Sequence, residues 1–331
     1  MTGPPRSIRS DNPFQRKLID GDHSKMAFFG YSLHLILMRE APTIENEVFC
    51  PALLGQIERR LERFVHDAAY PSNLQDAVSH ALLGGGKRLR PLLTLKCCES
   101  VGASTKDALE AAAAVEMVHA FSLVHDDLPA LDNDLMRRGR PTVHVAFGEA
   151  MAILAGDALL ALAMHAACST PRDVGRIALE VTNATSAMIV GQVYDTLGGF
   201  SEGATPHERL HIIHNHKTGA LLRCSCRVGA ICGGARAESF AAIDHWGDLI
   251  GLMFQAVDDL LDVTQSAEHV GKAVGKDHDA GKLTYPAVYG VEATRHEIAR
   301  LRKESLAALE PLGSNAEHLI RVTEYLAART R

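Results

Sequence analysis

From Pro51 onward, apolar and polar positions recur with the period of an α-helix. Leu53, Ile57, Leu61 and the pair Phe64–Val65 fall three and four residues apart, and Glu58, Arg59, Arg60 and Glu62 fill the other face. Pro71 interrupts this pattern, which resumes over residues 74–83 and ends at three glycines, Gly84, Gly85 and Gly86, that predict a turn. Pro91 suits the opening of the next helix, which runs through Ser100. Residues 106–128 predict a central helix of about 23 residues, roughly 34 Å long. Pro129 ends it near Asp127. Further helices are predicted over residues 142–164, 174–193, 207–233 and 239–262, with glycine-rich links at 198–203 and 270–281. Pro286 opens another helix, and two amphipathic segments complete the chain to Arg331. No fixed repeat and no boundary between two cores is visible, so residues 46–331 are expected to form one domain. Residues 1–45 are expected to be a poorly packed extension. Their apolar run at 27–38 follows Asp20 and Asp22 and lacks a small-residue cleavage site.

Composition strengthens the helical reading. The chain has 331 residues, 47% hydrophobic but only 5% aromatic, and its apolar content is dominated by alanine and leucine, the leading helix formers. The expected fold class is all-α. A formal charge of -6 argues against a nucleic-acid partner, which calls for a basic face. The seven cysteines form no CxxC pair and read as buried reduced thiols, implying a cytoplasmic setting. No apolar stretch in the sequence is expected to reach the ~18–20 residues of a membrane span.

The candidate chemistry is concentrated where the central helix ends. An apolar run at 111–124 leads into Asp126, Asp127, Asp132 and Asp134, followed by Arg137 and Arg138. Carboxylates carried into a protein body need compensating charge, because desolvating an unpaired one costs several kcal/mol. A second cluster, FQAVDDLLD at 254–262, places Asp258 and Asp262 four residues apart on one helix face among apolar neighbours. One such cluster is equally consistent with a half-exposed acidic stripe. Two of them at the ends of apolar helices suit Mg²⁺, which takes hard oxygen ligands and shares its shell with substrate phosphate. His125 beside Asp126 matches the HD dipeptide of metal phosphohydrolases, a rival that leaves the basic residues unexplained. Those residues are Lys87 and Arg90 at the glycine turn, Arg137 and Arg138, Lys217 and Thr218 beside His214 and His216, and Lys272, Lys276 and Lys282 in the glycine-rich loop. Each alone reads as a solvated charge. Together they point to a ligand carrying more than one phosphate group.

Seven motifs occur in order: GGKRLRP (85–91), VHAFSLVHDDLPALDNDLMRRGRPTVH (118–144), AGDALL (155–160), GQVYD (191–195), HKTGALLR (216–223), FQAVDDLLDV (254–263) and GKDHDAGKLTYP (275–286). In these the chain resembles the short-chain trans-polyprenyl diphosphate synthases, particularly the bacterial farnesyl diphosphate synthases, from about Leu53 to Arg331. Leu135 stands where an extra acidic residue is common in that family. The resemblance implies an isoprenoid synthase-type helical bundle around a central cavity, a homodimer, and Mg²⁺ bound by Asp126, Asp132 and Asp258, with Asp127, Asp259 and Asp262 supporting. It implies that Arg137, Lys217, Thr218, Gln255 and Lys272 hold an allylic diphosphate, and that Lys87, Arg90, His119 and Arg138 hold isopentenyl diphosphate. Asp126, Asp132, Asp258, Lys217 and Lys272 are the expected catalytic set, with no protein general base. Phe121 and Ser122, five and four residues before Asp126, are the expected floor of the product tunnel. An aromatic floor implies a fifteen-carbon product and hence a farnesyl diphosphate synthase. The alternatives are a geranylgeranyl diphosphate synthase of the same fold, a non-catalytic partner subunit and an HD-type phosphohydrolase.

Overall fold

The computed structural model describes residues 41–268 and 283–329. Helices α1 (Ala41–Val48), α2 (Pro51–Asp67), α3 (Ser72–Leu82) and α4 (Leu89–Ser100) lead to a 3-10 turn, Thr105–Ala108, and the central helix α5 (Leu109–Asp126). A two-residue antiparallel ribbon, β1 (Met136–Arg137) and β2 (Arg140–Pro141), precedes α6 (Val143–Phe147), α7 (Glu149–Cys168) and α8 (Val174–Leu197). Helix α9 (Pro206–Ile213) passes through a π-helical turn, His214–Gly219, into α10 (Ala220–Cys232), followed by α11 (Ala237–Glu268). Helices α12 (Tyr285–Tyr289), α13 (Val291–Ala308) and α14 (Glu317–Ala328), the last preceded by a 3-10 turn, complete the described chain. The all-α expectation holds.

Helix α5 is apolar around most of its circumference because it runs through the middle of the bundle. Every residue from Ala111 to Val118 is buried, including Glu116. Its alanines allow the equally small-faced α7 to pack closely against it, with Ala152, Ala155, Leu159 and Ala163 buried. A second hydrophobic cluster lies between α10, α11, α13 and α14, where the Trp246 indole donates to Thr323 Oγ1 at 2.9 Å.

Two expectations are corrected by tertiary packing. The helix expected over 142–164 is two helices broken at Gly148, whose φ of 87° closes one helix and opens the next. The helix expected over 207–233 is interrupted by the π turn. Helix α7 is long and apolar enough by length and composition to cross a membrane, a test that the core helix of a bundle also passes. Half of that stretch is buried within the bundle, against α5.

One buried charge cluster fixes the turn that carries the basic residues. Arg88 is only 3% exposed and has a left-handed backbone, φ 54°. Its Nε donates to Glu58 Oε1, its Nη1 to Glu116 Oε1 and its Nη2 to the Leu82 carbonyl, each at 2.7 Å. The guanidinium thereby ties α2, α3 and α5 to the start of α4. Removing one partner of a buried pair leaves charge uncompensated and costs roughly 3 kcal/mol or more. Glu116→Ala is therefore expected to lower unfolding stability by about 3 kcal/mol, measured as a shift in the urea midpoint without a change in m-value.

Candidate active site

The first acidic motif separates into two functions. Helix α5 ends at Asp126, and Asp127 caps it facing inward. Buried Asp127 accepts from Arg137 Nε at 2.9 Å on both oxygens and from Arg137 Nη2 at 2.7 Å. Arg137, expected on the allylic diphosphate, is thus also the clamp of its own loop. The loop containing Pro129 folds back so that the Asp132 N–H donates to the Asp126 carbonyl at 2.9 Å, bringing these two residues together. Burial raises the Asp126 carboxyl to about 6, with Asp132 adding to the rise while Lys217 and Arg137 oppose it.

The basic wall is built on the Arg88 anchor. Arg90 and His119 border a cavity of ≈ 200 Å³ with Lys87 and Arg138. Burial, then the guanidiniums of Arg90, Arg138, Arg137 and Arg88, push the His119 imidazole well below its ordinary range, so it is neutral and can donate one hydrogen bond. Arg90 Nε is buried without a hydrogen-bond partner among the described residues. Arg138 and Gly139, with φ 52° and 74°, form the two-residue turn of the β1–β2 ribbon. That turn sends Arg138 Nη1 onto the Gly85 carbonyl, so the glycine turn and the arginine pair meet although 53 residues separate them.

The opposite wall is formed by α8 and the π turn. Lys217 Nζ lies 2.6 Å from Asp195 Oδ2. Gly191 on α8 lets the turn approach this closely, since a Cβ there would lie 2.2 Å from the Lys217 backbone nitrogen. Between the walls is a cavity of ≈ 340 Å³. Asp126, Lys217 and Thr218 border it on the polar side, and Phe121, Ser122, Met188, Ile189 and Val193 also line it. Phe121, 7% exposed, stands edge-on to His125 with ring centroids 5.1 Å apart. His125 Nε2 is engaged by the Ile153 carbonyl at 3.1 Å, which leaves little to support an HD-type metal pair with Asp126.

The second acidic motif divides like the first. Asp259 is buried, accepting from the Tyr285 N–H and from Gln255 Nε2, each at 2.8 Å, with His214 Nε2 at 3.6 Å. Asp258, whose side chain is 47% exposed, meets Arg329 Nη2 at 2.7 Å. Lys272, Lys276 and Lys282 lie outside the described residues. Sequence reasoning passed over Arg88, Asp195 and Arg329. Asp195 was signalled only by the GQVYD motif, and Arg88 by its place between Lys87 and Arg90.

No three acidic, histidine or cysteine groups among the described residues are gathered closely enough to hold a cation by themselves. Asp126 and Asp132 still fit a shared Mg²⁺. Asp126 is a half-buried carboxylate made more basic by desolvation and by a neighbouring carboxylate, and Mg²⁺ commonly takes one or two carboxylates and completes its shell with water and phosphate.

Two acidic motifs and converging arginines and lysines within a helical bundle suit a ligand carrying more than one phosphate group. The sequence matches the polyprenyl synthetase family over residues 71–312. It is 45% identical over 272 residues to geranylgeranyl pyrophosphate synthase 12, chloroplastic, of Arabidopsis thaliana, covering 78% of this chain and 75% of that one. It is 43% identical over 267 residues to the chloroplastic geranylgeranyl pyrophosphate synthase of Capsicum annuum, covering 78% and 72%. Among solved structures, a geranyltransferase from Legionella pneumophila is similar with a TM-score of 0.75 at 30% identity, covering 88% of this chain and 99% of that one. An FPP/GFPP synthase from Zymomonas mobilis gives 0.71 at 31%, covering 87% and 100%. The chain belongs to the polyprenyl synthetase family, and with it to the prenyltransferases of isoprenoid biosynthesis. The cytoplasmic expectation is overturned by the chloroplastic relatives. Free cysteines do not single out one compartment.

The raised Asp126 carboxyl gives a pH dependence with a definite sign. Its ionisation costs stability above about pH 6, and the cost falls away as pH drops toward the ordinary value of 3.8. A cation should relieve that cost only where the group is ionised. Mg²⁺ with inorganic diphosphate is therefore expected to raise the melting temperature clearly at pH 7.5 and much less at pH 5.5, as measured by differential scanning fluorimetry.

Proposed function

We propose that the chain condenses isopentenyl diphosphate with allylic diphosphates in a Mg²⁺-dependent reaction whose main product is geranylgeranyl diphosphate. The observation that carries the product assignment is the similarity to plant geranylgeranyl pyrophosphate synthases at 42–45% identity across 78% of the chain. The farnesyl reading is kept as a second one, because Phe121 does line the central cavity, one to two helical turns before Asp126. Each helical turn spans ~5.4 Å, roughly one isoprene unit, so the depth of the floor decides chain length.

In this reading Lys217, Thr218 and Gln255 orient the allylic diphosphate from the π turn and α11, with Arg137 adding charge from the acidic loop. Lys87, Arg90 and Arg138 hold the second diphosphate, and neutral His119 donates to it. Asp126, Asp132 and Asp258 would hold Mg²⁺, which supplies the Lewis-acid neutralisation that makes diphosphate a leaving group. The allylic C–O bond breaks, the isopentenyl double bond attacks the resulting cation, and a proton leaves to the departing diphosphate. Alignment of two bound substrates and fixed electrostatics supply the catalysis.

Identification of the radiolabelled product by reversed-phase chromatography tests the assignment. A predominant twenty-carbon product is expected, and a predominant fifteen-carbon product would transfer the assignment to the farnesyl reading. Phe121→Ala is expected to lengthen the product distribution in either case, by opening the wall beyond the growing chain.

A homodimer is supported by an apolar stripe on the outer face of α8. Leu179, Val190 and Leu197 are exposed there, and Ile153 and Leu154 are exposed on α7. The double variant Val190→Asp, Leu197→Asp is expected to shift the protein from twice the chain mass to a single chain mass in light scattering coupled to size exclusion.

A further inference from the structure

His125 has no part in the chemistry proposed above, yet its side chain is held against a neighbouring helix. Its Nε2 meets the Ile153 carbonyl of α7 at 3.1 Å. A carbonyl only accepts, so the imidazole carries a proton on Nε2. Three residues further along α7, Gly156 provides the seat for the ring. A Cβ on Gly156 would lie 2.1 Å from His125 Nε2 and 2.4 Å from Cδ2, so no side chain fits between α7 and the imidazole.

The last turn of α5 continues the contact. Phe121 and His125 are four residues apart and lie one above the other on one helix face. Their rings meet edge-on, with centroids 5.1 Å apart and planes at 76°. Both line the ≈ 340 Å³ central cavity, Phe121 being buried and His125 half-buried. Helix α7, the imidazole and the Phe121 ring thus form one series of contacts that ends in the cavity wall. In a helix a phenylalanine has about two accessible χ1 rotamers. An imidazole fixed on α7 stabilises the one that places the phenyl ring at its edge.

We propose that His125 is a positioning residue for product length: pinned to α7 at Ile153 and Gly156, it holds the Phe121 ring in the rotamer that closes the central cavity beneath the growing prenyl chain. The inference rests on the function proposed above. The histidine of the HD dipeptide then acts through a phenylalanine and not through a metal. One aromatic edge contact shifts a rotamer balance about two- to tenfold, which tunes the ratio of two products one isoprene unit apart without abolishing either.

The test uses the full-length enzyme with labelled isopentenyl diphosphate and geranyl diphosphate. It reads the ratio of the product one isoprene unit longer than the wild-type main product to that main product. This ratio does not depend on how much of the enzyme is folded, so a loss of stability alone leaves it unmoved. His125→Ala is expected to raise it about two- to tenfold, the scale of one aromatic edge contact. His125→Gln keeps a donor for the Ile153 carbonyl but has no ring. It should raise the ratio by a similar factor, and it decides the matter if His125→Ala does not fold. In the Phe121→Ala background neither substitution should move the ratio further, because effects that pass through one side chain are not additive.

An unchanged or lowered ratio in either folded His125 variant overturns the proposal, and a lowered melting temperature beside it leaves a structural role. A rise of the same size in the Phe121→Ala background also overturns it, since His125 would then act without Phe121. A wild-type enzyme that forms no prenyl chain refutes the underlying function. If Phe121→Ala lengthens the product while the His125 variants leave the ratio unchanged, only the role of His125 falls. If Phe121→Ala changes nothing, the floor and the role of His125 fall together.

Discussion

The site depends on one constraint: several carboxylates and guanidiniums are carried out of water at the end of an apolar helix, and each buried charge has to be compensated. The protein meets this by dividing each acidic motif. Asp127 is neutralised by a fork-to-fork contact with Arg137, and Asp259 by the Tyr285 N–H and the Gln255 amide. These inner members of the two pairs hold the backbone of their motifs in place. Their neighbours turn elsewhere: Asp126 borders the central cavity, and Asp258 is half-exposed and meets Arg329. Burial without full compensation raises the Asp126 carboxyl, and in the proposed function a cation would complete that balance.

The same division explains what was legible in the sequence. Helices were legible because Leu53, Ile57 and Leu61 declare a 3.6-residue period, and the central helix because its apolar run ends at a proline. The motifs DDLPALD and DDLLD were equally visible. What adjacency could not reveal is which aspartate of each pair turns inward, since that depends on where Arg137 and Tyr285 arrive through the fold. The π turn was illegible for a similar reason. Nothing in HNHKTG breaks a helix, and its geometry is matched to the close pass of Gly191 against Lys217. Arg88 was hidden among four basic or apolar neighbours. Only the structure distinguishes the guanidinium that anchors the turn from those that face the cavity.

The expectation of a farnesyl product shows a different boundary of sequence reasoning. It rested on one side chain, Phe121, whose position on α5 is as expected and which does line the cavity. A tunnel is closed by everything around it, however. Met188, Ile189 and Val193 on α8 contribute to the same space, and an aromatic that stands edge-on to His125 forms part of a wall rather than a complete stop. One residue therefore does not fix the depth of the tunnel, and the product proposed above rests on similarity over most of the chain.

Helix α8 carries two burdens at once, and this links the cavity to the outer surface. Met188, Ile189, Gln192 and Val193 line the cavity, Asp195 holds Lys217, and Leu179, Val190 and Leu197 leave apolar area exposed on the far side. A helix apolar on both sides is stable in place only when both sides are packed. The bundle covers one side, and in the proposed function a prenyl chain would fill the cavity there. Covering the other with a second copy would stiffen the wall that measures the product, so chain-length control belongs to the packing of α8 as much as to the residue beneath Asp126.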